Sequence, residues 1–78
     1  MYRFLVIIVI EKESKGYGTY SPDLPGCVAA GDTLEEVEKN MREAFMMHLQ
    51  GMIEDQEPIP VPQTTAEYMG VTFPTSAA

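Results

Sequence analysis

YSPDLPGCVAAGDTLEEVEKN, Tyr20 to Asn40, joins two unlike kinds of chain. Its first fourteen residues hold two prolines, two glycines, two aspartates and Cys27, the only cysteine present. The remainder reads as a helix with its start marked. Thr33 caps the N-terminus, and Glu36 completes a capping box. Leu34, Val37, Met41, Ala44, Phe45, His48, Leu49 and Met52 then recur at the i, i+3, i+4, i+7 spacing of one buried stripe. Glu35, Glu38, Lys39, Arg42 and Glu43 take the other side, with Glu35–Lys39 and Glu38–Arg42 at favourable i,i+4 spacing. Gly51 weakens the last turns, and Pro58 ends whatever passes Asp55.

Upstream of that helix the chain reads as sheet. Tyr2 to Ile10 is rich in β-branched and aromatic residues and predicts a strand. Phe4, Val6, Ile8 and Ile10 share one face, while Leu5, Ile7 and Val9 share the other, so the strand expects cover on both sides. Glu11 to Gly16 is polar and reads as a hairpin connection, leading into a short strand over Tyr17–Ser21. Pro22, Asp23, Leu24, Pro25 and Gly26 form a turn, because each proline fixes φ and Gly26 supplies a positive one. Cys27 to Ala30 is a small-residue third strand that Gly31 ends.

Downstream, Pro58, Pro60 and Pro62 make an extended connector. Met69–Phe73 reads as a short final edge strand, and Thr75–Ala78 as a frayed tail. The expected class is therefore α+β, β-β-β-α-β, a three- to four-stranded sheet with one main helix on one face. One helix leaves the second face of the sheet uncovered. An apolar face of that size predicts an interaction surface, and hence an oligomer or a place in a complex.

The 78 residues allow one domain. A lone cysteine rules out an internal disulfide and fits a reducing cytoplasm. The apolar run of the first strand is too short to cross a bilayer, which takes roughly 20 residues, and Glu11-Lys12-Glu13 stands where a leader would be cleaved. The formal charge of −7, twelve acids against five bases, disfavours a nucleic-acid surface and suits a basic partner. The plainer reading is that it keeps the chain soluble.

Chemistry is not written in this sequence. His48, the single histidine, sits on the apolar stripe, where packing is the simpler role. Cys27 has no orienting third group to accompany a dyad with His48. The acids fall on the helix's polar side or in loops, as a solvated face does. Asp23 is expected to hold a turn hydrogen bond, and Asp32 to support the cap beside Thr33. No zinc spacing and no phosphate-cradling glycine motif occurs, so no cofactor, metal site or catalytic residue is expected. Met46 and Met47 lie partly off the stripe, and the reading that competes with core filling is an adaptable binding surface.

The ordered string of Pro22, Asp23, Leu24, Pro25, Gly26, Cys27, Gly31, Asp32, Thr33, Glu35 and Glu36, continued by PIPVP, closely resembles the N-terminal domain of HicB-type antitoxins and their stand-alone relatives. Val37 stands where that pattern often has alanine. The resemblance runs over residues 2–62 and implies a partial RNase H-like fold, with residues 1–62 as the HicB-like domain and residues 63–78 as an extension. It implies a binding protein that neutralises a small basic HicA-type mRNA interferase by steric occlusion. Many such antitoxins continue into a DNA-binding domain. The residues after Pro62 are too few for a helix-turn-helix and contain no Lys or Arg, so no direct nucleic-acid binding is expected.

Aromatic anchors and acids together mark Tyr17, Tyr20, Asp23, Glu35, Glu38 and Glu43 as the expected toxin contacts. Pro22 to Cys27, with Gly31, Asp32 and Thr33, are read as structural. The competing functions are a stand-alone oligomer of unknown ligand and a vestigial metal-dependent hydrolase built on Asp23 and Asp32.

Overall fold

The computed structural model of the chain describes residues 3–75. Its elements are β1 (Val9–Glu13), β2 (Gly16–Tyr20), β3 (Val28–Gly31) and α1 (Leu34–Glu54). The strands form one antiparallel sheet in the order β1-β2-β3, which makes β1 and β3 its edges. This is the α+β class expected, and the order β-β-β-α matches the patterning as far as the helix.

The position of β1 differs from expectation. Patterning puts the strand in the apolar run from Tyr2 and leaves Glu11–Glu13 in the connection. Instead the ladder runs from Val9↔Tyr20 to Glu13↔Gly16, with only Ser14 and Lys15 in the turn. Pairing is counted outward from the turn, and β2 ends at Tyr20 before Pro22, so β1 can pair no further back than Val9. Leu5 to Ile8 lead up to the ladder without joining it, and Tyr2 lies outside the described residues.

Smaller shifts occur at Ser21 and Cys27, both expected in strands. The Leu24 N–H donates to the Ser21 carbonyl at 3.2 Å and the Cys27 N–H to the Leu24 carbonyl at 3.1 Å, which draws both residues into the loop. Met69–Phe73 forms no strand, so no fourth strand is present among the described residues. Of the expected tail, Ser76–Ala78 lie outside the described residues.

Alternation along the sheet sorts its two faces. Ile10, Thr19 and Ala29 are aligned partners across the three strands, and this row faces α1. Val9, Tyr20 and Val28 form the adjacent row on the open face. Leu24, Cys27 and Met41 form the buried cluster, with Val6, Ile8, Ala29, Ala44 and Phe45 packed against it, and Val37 is buried as well. The expected helical stripe is therefore the one that packs, with His48, Leu49 and Met52 half-buried further along. Leu34 in the first turn is the exception, 50% exposed.

The helix begins as its sequence dictates. The Thr33 hydroxyl accepts from the Glu36 N–H at 3.1 Å, and the Glu36 carboxylate accepts from the Asp32 N–H at 3.3 Å. The return bond of the box thus falls one residue ahead of the cap. At the far end the Gln56 N–H donates to Ile53 and the Glu57 N–H to Met52, a Schellman closure with Gln56 at φ +57° in the position glycine usually fills.

Gly31 fixes the distance between β3 and α1. A Cβ there would lie 2.6 Å from the Val37 nitrogen and 2.9 Å from its Cα. Only the missing side chain lets the helix backbone sit this close. The Asn40 side-chain amide donates to the Ala30 carbonyl at 2.8 Å and ties the same strand one turn further on.

Candidate functional site

In the loop from Pro22 to Cys27, two side chains plug the core and one reaches away to a distant segment. Leu24 and Cys27 point into the core, and burial pushes the Cys27 thiol pKa up. Gly26 has φ +87°, the positive value predicted for it. The buried Ser21 hydroxyl donates to the Ile7 carbonyl at 2.8 Å and holds the segment before β1 against the loop.

Asp23 does not make the expected local turn bond. Its Oδ1 accepts from the Gln63 N–H at 3.2 Å and the Thr64 hydroxyl at 3.0 Å, and its Oδ2 accepts from the Thr64 N–H at 3.2 Å. The carboxyl is held below its ordinary value, mainly by the Gln63 N–H, with partial burial opposing and both Thr64 donors adding to the effect. A residue of the motif thus latches the segment beyond the proline connector. Nothing near Asp23 in sequence signals this, because its partners lie forty residues away. The cue in the sequence is that Gln63 and Thr64 are the first two consecutive N–H donors after the alternating prolines.

The other expected contact residues do not converge on one surface. Tyr17 is half-buried and lines a shallow hollow of about 400 Å³ with Glu13, Lys15, Asp32 and Glu36. Tyr20 lies on the open face of the sheet beside exposed Val28. Glu35, Glu38 and Glu43 are all exposed. At about 100° per residue, only Glu35 and Glu43 face away from Val37 and Met41, while Glu38 falls in line with half-buried Phe45 seven residues on. Further along α1, Met46, Met47 and Ile53 are 66, 73 and 59% exposed. The two methionines that fall off the stripe in the sequence therefore face solvent and extend the acidic face with an adaptable apolar one.

The carboxylates do not assemble into a metal centre. Both Asp23 oxygens are taken by Gln63 and Thr64, and Asp32 stands at the start of α1. Among the described residues no three His, Cys, Asp or Glu side chains are grouped to hold an ion. No described helix is long and apolar enough to cross a membrane.

The profile of the HicB_like antitoxin of bacterial toxin-antitoxin systems matches residues 5–73. The chain belongs to the HicB-like antitoxin family. It is 45% identical over 62 residues to an uncharacterized 14.9 kDa protein from the rep-hol intergenic region of Haemophilus phage HP1, covering 80% of this chain and 47% of that protein. The chain thus spans about half the length of that relative. Among solved structures, a chain of the HicA3 and HicB3 toxin-antitoxin complex is 34% identical with a TM-score of 0.63, over 76% of this chain and 72% of that one. The antitoxin HicB3 crystal structure has a TM-score of 0.60 at 23% identity, over 90% of this chain and 74% of that one, which is a likeness of fold. In this HicB-like chain the family motif serves as both core plug and latch.

Proposed function

We propose that this HicB-like protein is the binding half of a toxin–antitoxin pair and neutralises a small basic HicA-type toxin by steric occlusion, without chemistry of its own. The observation that carries the reading is its 34% identity to a chain solved within a HicA3 and HicB3 complex. The charge of −7 supports it, since opposite fields speed encounter and disfavour wrong partners. A toxin that cuts messenger RNA places the pair in the cytoplasm.

The contact surface we favour is the exposed surface of α1, where Glu35 and Glu43, flanked by Glu38, lead into Met46, Met47 and Ile53. Acids there meet the basic toxin, and the apolar residues supply area from which water is excluded. Tyr17 and Tyr20 are secondary contacts from the sheet. Asp23 contributes by holding the C-terminal segment in place.

Titration calorimetry with a HicA-type toxin tests this reading. Joint reversal of Glu35, Glu38 and Glu43 to lysine is expected to weaken binding at least tenfold at low salt and to flatten its salt dependence. An unchanged affinity and salt slope would remove the α1 face from the contact map.

A further inference from the structure

Past Thr64 the chain does not return to the body among the described residues. Every residue from Pro60 to Thr75 is exposed, although Gln63 and Thr64 are tied to Asp23. The radius of gyration is 16.4 Å and the extents are 58 × 29 × 20 Å. A compact chain of this length would have a radius of about 11.5 Å. The excess fits a projecting C-terminal arm.

The end of that arm is composed like a strand that lacks a sheet. In Tyr68-Met69-Gly70-Val71-Thr72-Phe73 the residues Met69, Val71 and Phe73 share one side, and they are 86, 70 and 75% exposed. No proline interrupts the run from Gln63 to Phe73, so every residue in it keeps its N–H.

The sheet has a matching edge. β1 is bordered by β2 on one side only, and the run from Leu5 to Ile10 is apolar throughout, with Leu5 70% exposed. Glu11, Lys12 and Glu13 guard the hairpin end of that edge, since charges deter strand addition, and leave Leu5–Ile10 as the open stretch. Both segments are six residues long and neither contains a charge.

We propose that Tyr68–Phe73 of one copy adds as a strand along the Leu5–Ile10 edge of a second copy, reciprocally, to give a closed two-fold dimer. The Ser21–Ile7 bond and the Asp23 latch place the arm's root beside its own edge segment. From Thr64 the arm runs outward, and nine residues span about 30 Å, far enough to reach a neighbouring molecule. Two chains of charge −7 repel, so pairing through their uncharged segments is the arrangement with least cost. Salt therefore strengthens this dimer, whereas it weakens an acidic-to-basic toxin contact, and the two readings can fail separately.

Sedimentation of the full chain is expected to give twice the chain mass, increasingly so with salt. Val71→Pro removes an N–H from the added strand and is expected to weaken the dimer at least tenfold with the helical circular dichroism retained. As a check that does not depend on that variant's folding, Leu5→Cys and Val71→Cys chains are mixed and oxidised, and a disulfide between the two is expected. A monomer at all salt concentrations, a dimer indifferent to Val71→Pro, or, when a third chain carrying both cysteine substitutions is oxidised, a disulfide formed only within single chains would each overturn the proposal. The last result would mean that the arm covers its own edge.

Discussion

Asp23 grips Thr64 twice, accepting from its hydroxyl at 3.0 Å and from its backbone N–H at 3.2 Å. The bond joins the loop before β3 to the chain after the prolines, and it depends on charge. The Asp23 carboxyl is held below the ordinary 3.8, so its contribution is fully present above that value and is lost as pH falls through the lower folded one. The arm should stay latched throughout the neutral range. In a pH titration by NMR, the Thr64 amide should move with a midpoint below 3.8. Asp23→Ala should sharply lower the Thr64 heteronuclear NOE at pH 7 while leaving that of α1 unchanged.

Gly31→Ala places a methyl against the backbone of Val37, which cannot swing aside as a side chain would. Overpacking of this kind costs about 1–3 kcal/mol. Urea melts should show that loss, with helix and sheet displaced but still paired. Gly51→Ala, within α1 and with nothing within 4 Å of the added methyl, serves as the contrast and should cost no stability.

The Thr19 hydroxyl is buried without a hydrogen-bond partner in the row facing α1. Replacing an unsatisfied polar atom by a methyl of the same shape removes a desolvation penalty. Thr19→Val should stabilise the fold by about 1 kcal/mol, read as a Tm raised by about 4–8 °C in a domain of this size. A lower Tm would mean that the hydroxyl is satisfied in solution.

The helix was legible in the sequence because its signals are local. A cap, a reciprocal glutamate and a 3.6-residue stripe each lie within a few turns of what they specify, and Thr33, Glu36, Val37 and Met41 do what their spacing predicts. The place of β1 was not legible, because hydrophobicity marks what wants burial, whereas the ladder is set by the turn and by the length of the partner. Glu11 to Glu13 are therefore paired, and Leu5 to Ile8 are not part of the ladder. The role of Asp23 was hidden altogether, since its partners are distant in the chain and a Pro-Asp turn already offers a satisfying local account. The acids at Glu35, Glu38 and Glu43 are all exposed, but that Tyr20 stands on the open face of the sheet, opposite the helix, could be seen only once the two were assembled.

Cys27 carries a consequence of a different kind. Its thiol is sealed beneath the loop at 2% exposure, and burial raises its pKa, so the reactive thiolate is scarce in the native state. A thiol reagent should reach it only when the core opens. The labelling rate of this one sulfur therefore clocks opening of the fold, and that clock is read without adding a probe to the chain.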